Sequence, residues 1–470
     1  MRILLVQPKP PEDYIGFHRT AVPEPLALES VAAMVLARHE VRILDLRIEK
    51  GDALPEMMET FRPEMVGVTC LTTEVYAAQD LLKRVRAEWP EVITLVGGLH
   101  ATLLPEDFQL PYVDVIVMGE GETTFSELAD ALALAAPAAR GDAFRQILGL
   151  AWRHDADQWT VNPPRPLLPS LDVLPIPARA LSAKYHPDYF FLFDQPHTVM
   201  ATSRGCPFKC NFCSVWKFYR KKCRYMSAER VVDEMETVAT RTVSMLDDNF
   251  LANVPRAWKI VELIRSRGLK KEFGVQGRTD TISKNPDLIK ALREVGLETI
   301  LIGFEGSTQA KLDAVSKGAT IEQNEKAMDI LNSLGVLMWG AFIVDPDWTR
   351  EDFQELKRYR EAKEIIYPQF TILTPLPGTD LYQEKYGQLV THDYRLFDAL
   401  HAVLPTRLPR EEFYKEFSGL YRPDNPALLY DWISSGRITM DRARKARKLL
   451  MEMSNYENFL KGERAVGLTG

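Results

Sequence analysis

The chain has 470 residues, a formal net charge of −7 and 46% apolar residues. That length is too great for one ordinary domain, the apolar content suffices for buried cores, and so mild a charge excludes a chain built to hold nucleic acid or another polyanion. No run approaches ~20 uninterrupted apolar residues, as a membrane-spanning helix requires, and the opening MRILLVQP reads as a strand rather than a secretory leader. Residues 1–135 alternate apolar runs with helical stretches, with strands predicted at 2–6, 41–46, 65–70, 92–97 and 113–119. Strands apolar throughout and separated by helices form a parallel sheet covered on both faces. Five such units make a flavodoxin-like, doubly wound α/β domain. Ligands of such sheets sit at the carboxyl ends of the strands, here Gln7, Thr72, Thr73, Gly97, Gly98, His100, Gly119, Glu120 and Gly121. Glycine-rich turns there let a large ligand approach the backbone. Residues 136–190 read as a proline-rich connector with a small hairpin over GLAWRHDADQWTVN. Over 191–388 a second alternation supplies six β/α units, too few for a closed eightfold barrel, so an open, partial (β/α)6 barrel is expected. Residues 389–470 read as mainly helical.

Three of the five cysteines, Cys206, Cys210 and Cys213, fall within eight positions, while Cys70 and Cys223 are isolated. An odd count in a chain that lacks an export signal argues against a disulfide framework and for a reducing, cytoplasmic setting. Thiolates spaced C-x3-C-x2-C can hold three irons of a [4Fe–4S] cluster and leave the fourth iron open to a chelating substrate. The alternative is a structural zinc ion with Cys223 as fourth ligand. Cys223, however, follows the basic stretch KFYRKK at a spacing that fits no common zinc pair. The loop ends the first barrel strand, where barrel chemistry sits.

The stretch Gly205-Cys206-Pro-Phe-Lys-Cys210-Asn-Phe212-Cys213 resembles the motif of the radical S-adenosylmethionine (SAM) enzymes. That resemblance implies SAM chelated to the open iron, and its one-electron cleavage to methionine and a 5′-deoxyadenosyl radical. It also implies an external one-electron donor of flavodoxin or ferredoxin type. It gathers Phe212, Asp247, Asp248, Arg278, Glu305 and Pro377 around SAM and substrate, with Arg278 on the SAM carboxylate and Glu305 on the ribose hydroxyls or amino group. For each of these charged residues the competing reading is a structural ion pair or cap. A doubly wound domain ahead of such a barrel resembles the cobalamin-binding radical SAM enzymes over almost the whole chain. GGLHAT and VMGEGETTF are similar to the loops that hold the corrin and its nucleotide tail. The D-x-H-x-x-G motif is missing, which implies cobalamin without a protein imidazole on cobalt and leaves His100 as a contact or a loop hydrogen bond. A flavin or nucleotide is the alternative ligand, although no G-x-G-x-x-G follows the first strand.

A closer likeness covers SRGCPFKCNFCSVWKFYRKKCRYMSAERVVDEM, VDPDW at 344–348 and HDYRLFDALHAVLPTRLPREEFY at 392–414, which resemble the hopanoid C-3 methylases. It implies hydrogen abstraction from an unactivated carbon of a hydrophobic polycyclic lipid, methyl transfer from methylcobalamin, and a second SAM to restore that methyl group. Such a substrate requires an apolar cavity between the domains, for which Trp216, Phe218, Tyr219, Trp339 and Phe342 are available; ordinary core packing is the competing role. The segment DRARKARKLLMEM at 441–453 either lies on an anionic bilayer or presents a solvated face. Two other classes stay open. One is an oxidative cyclase or ring-contracting enzyme with the same cofactors. The other is a non-catalytic cobalamin-binding or photoreceptor module, which has no use for an open iron.

Overall fold

The computed structural model describes residues 1–10, 16–136, 139–155, 158–422, 433–434 and 438–468. The chain divides into two compact units, one of Met1–Glu12 with Pro23–Asp188 and the other of Asp13–Val22 with Tyr189–Gly470.

The first unit is built on a seven-stranded sheet. Its strands are β1 (Arg2–Gln7), β2 (Glu40–Asp45), β3 (Met65–Thr69), β4 (Ile93–Gly97), β5 (Val115–Val117), β6 (Leu150–Asp155) and β7 (Gln158–Val161). The order is β2-β1-β3-β4-β5-β6-β7, with the first five strands parallel. This is the flavodoxin-like order. Helices Leu26–Ala33, Val75–Glu88 and Gly121–Leu134 cover it, which is why Ile3, Leu4, Leu5 and Val6 are all buried despite alternating faces. The hairpin predicted at 149–162 forms, but it does not stand apart in a connector: β6 pairs antiparallel with β5 and extends the sheet. Trp152, opposite Val115, joins the same core as Phe125 and Leu128. The remaining connector residues through Asp188 also belong to this unit.

The second unit holds a six-stranded parallel sheet in sequential order. Its strands are β8 (Thr198–Met200), β9 (Thr242–Met245), β10 (Glu272–Gly277), β11 (Leu297–Glu305), β12 (Leu337–Val344) and β13 (Tyr367–Ile372). Sequential crossovers of one hand place the helices on one face and leave the other as an inner face. β8 and β13 do not pair, so the barrel is open. The period-two pattern is visible in burial. Phe304, Phe342 and Phe370 point outward and pack ring against ring. Leu301, Gly303, Ala341, Ile343, Gln369 and Thr371 alternate with them and are half-buried on the inner face. Helix boundaries follow local chemistry: Thr320 with Gln323 and Thr349 with Asp352 form reciprocal caps at the starts of Ile321–Leu334 and Arg350–Ala362. Helices Arg410–Gly419, Met440–Met453 and Glu457–Ala465 complete the unit. Among the described residues no helix is long and apolar enough to cross a membrane.

Candidate active site

The cysteine loop is suspended from the ends of β8 and β9. Asp247, fully buried, accepts hydrogen bonds from the Thr202 N–H (2.6 Å), Thr202 Oγ1 (2.6 Å) and Ser203 Oγ (2.6 Å). Its carboxylate is therefore spent on fixing the lead-in to the loop. This is the structural role that competed with a place beside SAM. Its neighbour Asp248 does lie against the loop, accepting from the Gly205 N–H at 2.9 Å. Burial first, and then the charge of Asp247, push the Asp248 carboxyl up to about 6, against the opposing pull of the Gly205 N–H. Gly205 has φ 92°, and a Cβ there would stand 2.2 Å from the Lys222 carbonyl oxygen. Only glycine lets the two limbs of the loop approach this closely.

Within the loop the Cys213 N–H donates to the Cys210 carbonyl at 3.2 Å, and Trp216 Nε1 donates to the same oxygen at 3.0 Å. Burial pushes the Cys206 thiol up and the Cys213 thiol to about 11, with the neighbouring cysteines adding to the shift. A metal bound by such thiols displaces their protons. Among the described residues, the one group of three ligands whose atoms all lie within 4.8 Å of one another is Glu24, Glu29 and His186. Cys223 is half-buried and bonded to Tyr225.

Around this loop the structure gathers further charged groups. The Arg278 guanidinium lies 3.4 Å from the centroid of the Phe208 ring, between two of the cysteines, and donates to the Lys317 carbonyl (2.7 Å) and Asp280 (3.0 Å). Glu305, at the end of β11, has φ 62° and pairs with Lys317 Nζ at 2.7 Å, both side chains being buried. A Cβ on Gly303 would stand 2.1 Å from Glu305 Oε1 and 2.7 Å from Lys317 Nζ, so that glycine leaves the space the pair occupies. Glu305 and Arg278 therefore already have protein partners, Lys317 and Phe208, which sequence reading missed. Nothing local in Ser316-Lys317-Gly318 marks a buried lysine. Phe212 is half-buried in the loop, and Pro377 is buried in the turn that follows β13. Trp216 is buried behind the cysteines, with the Lys217 ammonium 4.7 Å from its ring. Tyr219 is half-buried between Phe218 and Arg224. Trp339 faces the inner side of β12, whereas Phe342, three residues on, faces outward into the fully buried core; strand parity removes it from the expected cavity.

In the first unit the predicted residues collect at the carboxyl ends of β1, β3, β4 and β5, neighbours in the sheet. Gln7 donates to Glu74 (3.1 Å), and Thr72 and Thr73 open the turn after β3. The Gly119 N–H donates to Thr102 Oγ1 (2.9 Å), Glu120 accepts from the Leu168 N–H (3.4 Å), and Gly121 opens a helix. His100 is fully buried, its ring held by Asp107 at 2.8 Å and Thr72 Oγ1 at 3.3 Å. Held on both ring nitrogens, it positions Thr72.

A B12-binding domain model matches residues 15–129, and a radical SAM superfamily model matches residues 200–359. A hopanoid C-3 methylase of Methylococcus capsulatus is 32% identical over 425 residues, covering 88% of this chain and 78% of that protein. An uncharacterized methyltransferase of Pyrococcus horikoshii is 34% identical over 417 residues, covering 86% and 88%. Among solved structures, the radical SAM methyltransferase TsrM of Kitasatospora setae, with cobalamin and a [4Fe–4S] cluster bound, superposes with a TM-score of 0.69. It shares 17% identity over 96% of this chain and 99% of that one, a likeness of fold.

Proposed function

The chain belongs to the cobalamin-dependent radical SAM methyltransferase family, and we propose that it methylates an unactivated carbon of a hydrophobic polycyclic lipid of hopanoid type. Its cofactors are a [4Fe–4S] cluster, SAM and cobalamin. We assign the cluster to Cys206, Cys210 and Cys213, and the cobalamin to the strand-end residues of the first unit. When bound, the reduced cluster and SAM supply a radical that removes a hydrogen atom, and cobalamin supplies the methyl group.

The protein's own residues hold and orient these groups. Asp247 and Asp248 fix the N-terminal limb of the loop at Thr202, Ser203 and Gly205, and Trp216 anchors the Cys210 carbonyl. Arg278, Glu305 and Lys317, with Asp280 on Arg278, form a fixed constellation of two cations and two anions, complementary in kind to the carboxylate and amino group of SAM. Such preorganised charge costs no rearrangement when the ligand arrives. The observation that carries the substrate reading is the inner face of the barrel, where half-buried Leu301, Ala341 and Ile343 and buried Trp339 present an apolar surface. A polar substrate gains nothing from such a surface, and an apolar one does. Peripheral contact with an anionic bilayer falls to the helix Met440–Met453, whose Arg444, Lys445, Arg447 and Lys448 are exposed.

The test is a turnover assay with trideuteromethyl SAM. The product should gain the labelled methyl group, with 5′-deoxyadenosine and S-adenosylhomocysteine formed in equal amounts. Anaerobically reconstituted protein should carry about four irons per chain. Cys206→Ala, Cys210→Ala and Cys213→Ala should each abolish SAM cleavage, whereas Cys223→Ala and Cys70→Ala keep it. 5′-Deoxyadenosine without S-adenosylhomocysteine, and an unmethylated product, would replace this reading with an oxidative cyclase.

A further inference from the structure

The inner face of β12 and β13 carries a second feature, well away from the cysteine loop. Tyr367 lies opposite Trp339 in the strand register, Gln369 opposite Ala341, and Thr371 opposite Ile343. Tyr367 and Gln369 thus point to the same side, toward a pocket that is partly open to solvent. The walls are apolar: Leu192 and Phe193 on one side, Leu400 on another, and Leu449, Leu450 and Met453 of the helix Met440–Met453. Thr20, Tyr367, Gln369 and Tyr421 bring polar groups to this lining, and the Tyr421 hydroxyl is paired with the Phe370 backbone. Tyr367 Oη and Gln369 Oε1 are both buried, and neither has a hydrogen-bond partner among the described residues. Tyr367 as a whole is 7% exposed.

A buried hydroxyl or amide oxygen without a partner costs free energy that a native fold normally avoids. Two of them side by side in an apolar cavity mark a place that a ligand completes. Pockets for small molecules have this composition, a mostly apolar lining with few convergent polar groups that set orientation. Burial pushes the Tyr367 phenol well above its usual range, so it remains a donor at neutral pH. The Gln369 carbonyl is an acceptor beside it. Together they match one hydroxyl group, which accepts from the phenol and donates to the amide oxygen.

From this we infer that the pocket beneath Trp339 holds the far end of an extended apolar molecule that terminates in a hydroxyl, with Tyr367 and Gln369 as its hydrogen-bonding partners. The inference rests on the lipid reading above for the identity of that molecule, though not for the existence of the site. The dimensions agree. From Tyr367 to the end of β13 at Ile372 is five residues, or about 16 Å at ~3.3 Å per residue, comparable to the length of a pentacyclic skeleton. A molecule with its hydroxyl at Tyr367 would bring its opposite ring to the end of the strands where the cysteine loop lies. Orientation of the substrate, and hence which carbon is presented, would then be set by a hydrogen bond remote from the chemistry.

The experiment compares binding of hopane and its alcohol hopan-22-ol to the reconstituted holoenzyme, by tryptophan fluorescence in cyclodextrin-delivered titrations. The wild-type protein should bind the alcohol about tenfold more tightly, the worth of a satisfied buried hydrogen bond. The paired variant Tyr367→Phe/Gln369→Leu, which keeps shape and volume, should reduce that preference to twofold or less while leaving hopane affinity unchanged. An absent preference in the wild type, or a preference that survives in the variant, overturns the site. Methylated product measured in the same samples separates the two ideas. Preferential binding through Tyr367 without methylation sinks the substrate reading and leaves the pocket. Methylation indifferent to both substitutions sinks the pocket and leaves the substrate.

Discussion

Glu29 makes a quantitative test of the first unit's electrostatics. It lies in the helix Leu26–Ala33, is 0% exposed, and accepts a hydrogen bond from Ser182 Oγ of the connector through one oxygen. Its other oxygen, Oε2, has no hydrogen-bond partner among the described residues. Burial and the nearby Glu24 carboxylate push its pKa from 4.5 to about 8. A carboxyl whose folded pKa is raised binds a proton in the native state that the unfolded chain has already released. Stability attached to this group is therefore complete below about pH 4.5, declines through the window up to about 8, and is flat above it. The slope is about 1.4 kcal/mol per pH unit. The full span, 8 minus 4.5, is 3.5 units, or on the order of 4–5 kcal/mol.

Glu29→Gln mimics the protonated side chain in shape and charge. It should remove the slope, so that variant and wild type agree near pH 5 and the variant is the more stable at pH 8. Native-state hydrogen exchange of peptides covering 26–33, corrected for intrinsic rates, reads this locally in a chain too large for two-state unfolding. Between pH 5.5 and 7.5 the ratio of variant to wild-type protection should rise about a hundredfold, or about 2.7 kcal/mol. Protection that runs parallel in the two proteins would show that Glu29 carries no extra proton. A variant less stable at every pH would show instead that the fold favours the ionised carboxylate at this position.

Gly205→Ala drives a methyl group to within 2.2 Å of the Lys222 carbonyl at φ 92°, so reconstituted protein should hold less than half the wild-type iron, as measured by metal analysis, while far-ultraviolet circular dichroism is unchanged. Glu305→Ala strands the buried Lys317 ammonium and should weaken SAM binding at least tenfold by calorimetry; Lys317→Met in the same chain should recover folding but not SAM affinity. Replacing Arg444, Lys445, Arg447 and Lys448 by Gln should lower affinity for vesicles of anionic phosphatidylserine by two orders of magnitude or more, at about 1 kcal/mol per charge, with no effect on turnover of detergent-dispersed lipid. Unchanged vesicle binding would return that helix face to solvent.

The features legible in the sequence are those carried by local pattern. Ile3 to Val6 and Val66 to Val68 are apolar on both faces because helices cover both sides of the sheet, and the same runs announce the parallel order. The cysteine spacing is equally local. The extension of the first sheet is not: Trp152 pairs with Val115 across thirty-odd residues, and nothing in a proline-rich stretch foretells which edge it will find. The same holds for the connector's anchors. Ser182 and Arg179 meet Glu29 and Glu24 over 153 and 155 residues, as buried polar contacts that composition predicts to be exposed.

Within the site the divide between legible and illegible runs through adjacent residues. Asp247 and Asp248 are indistinguishable as letters. The first turns back under β8 and is consumed by Thr202 and Ser203, and the second reaches the glycine that begins the cysteine loop. Trp339 and Phe342 are both aromatic and share one strand, but an odd number of positions separates them, so one faces the inner side and the other packs against Phe370. Parity can be counted only once the strand's boundaries are known. Lys317 shows the harder case. Its burial depends on Glu305 adopting a left-handed backbone and on Gly303 having no side chain, two conditions set on a neighbouring strand end. Each residue is unremarkable alone. The charge constellation exists because Glu305 takes a left-handed backbone beside a buried lysine, and strain of that kind is tolerated where it positions groups for a ligand.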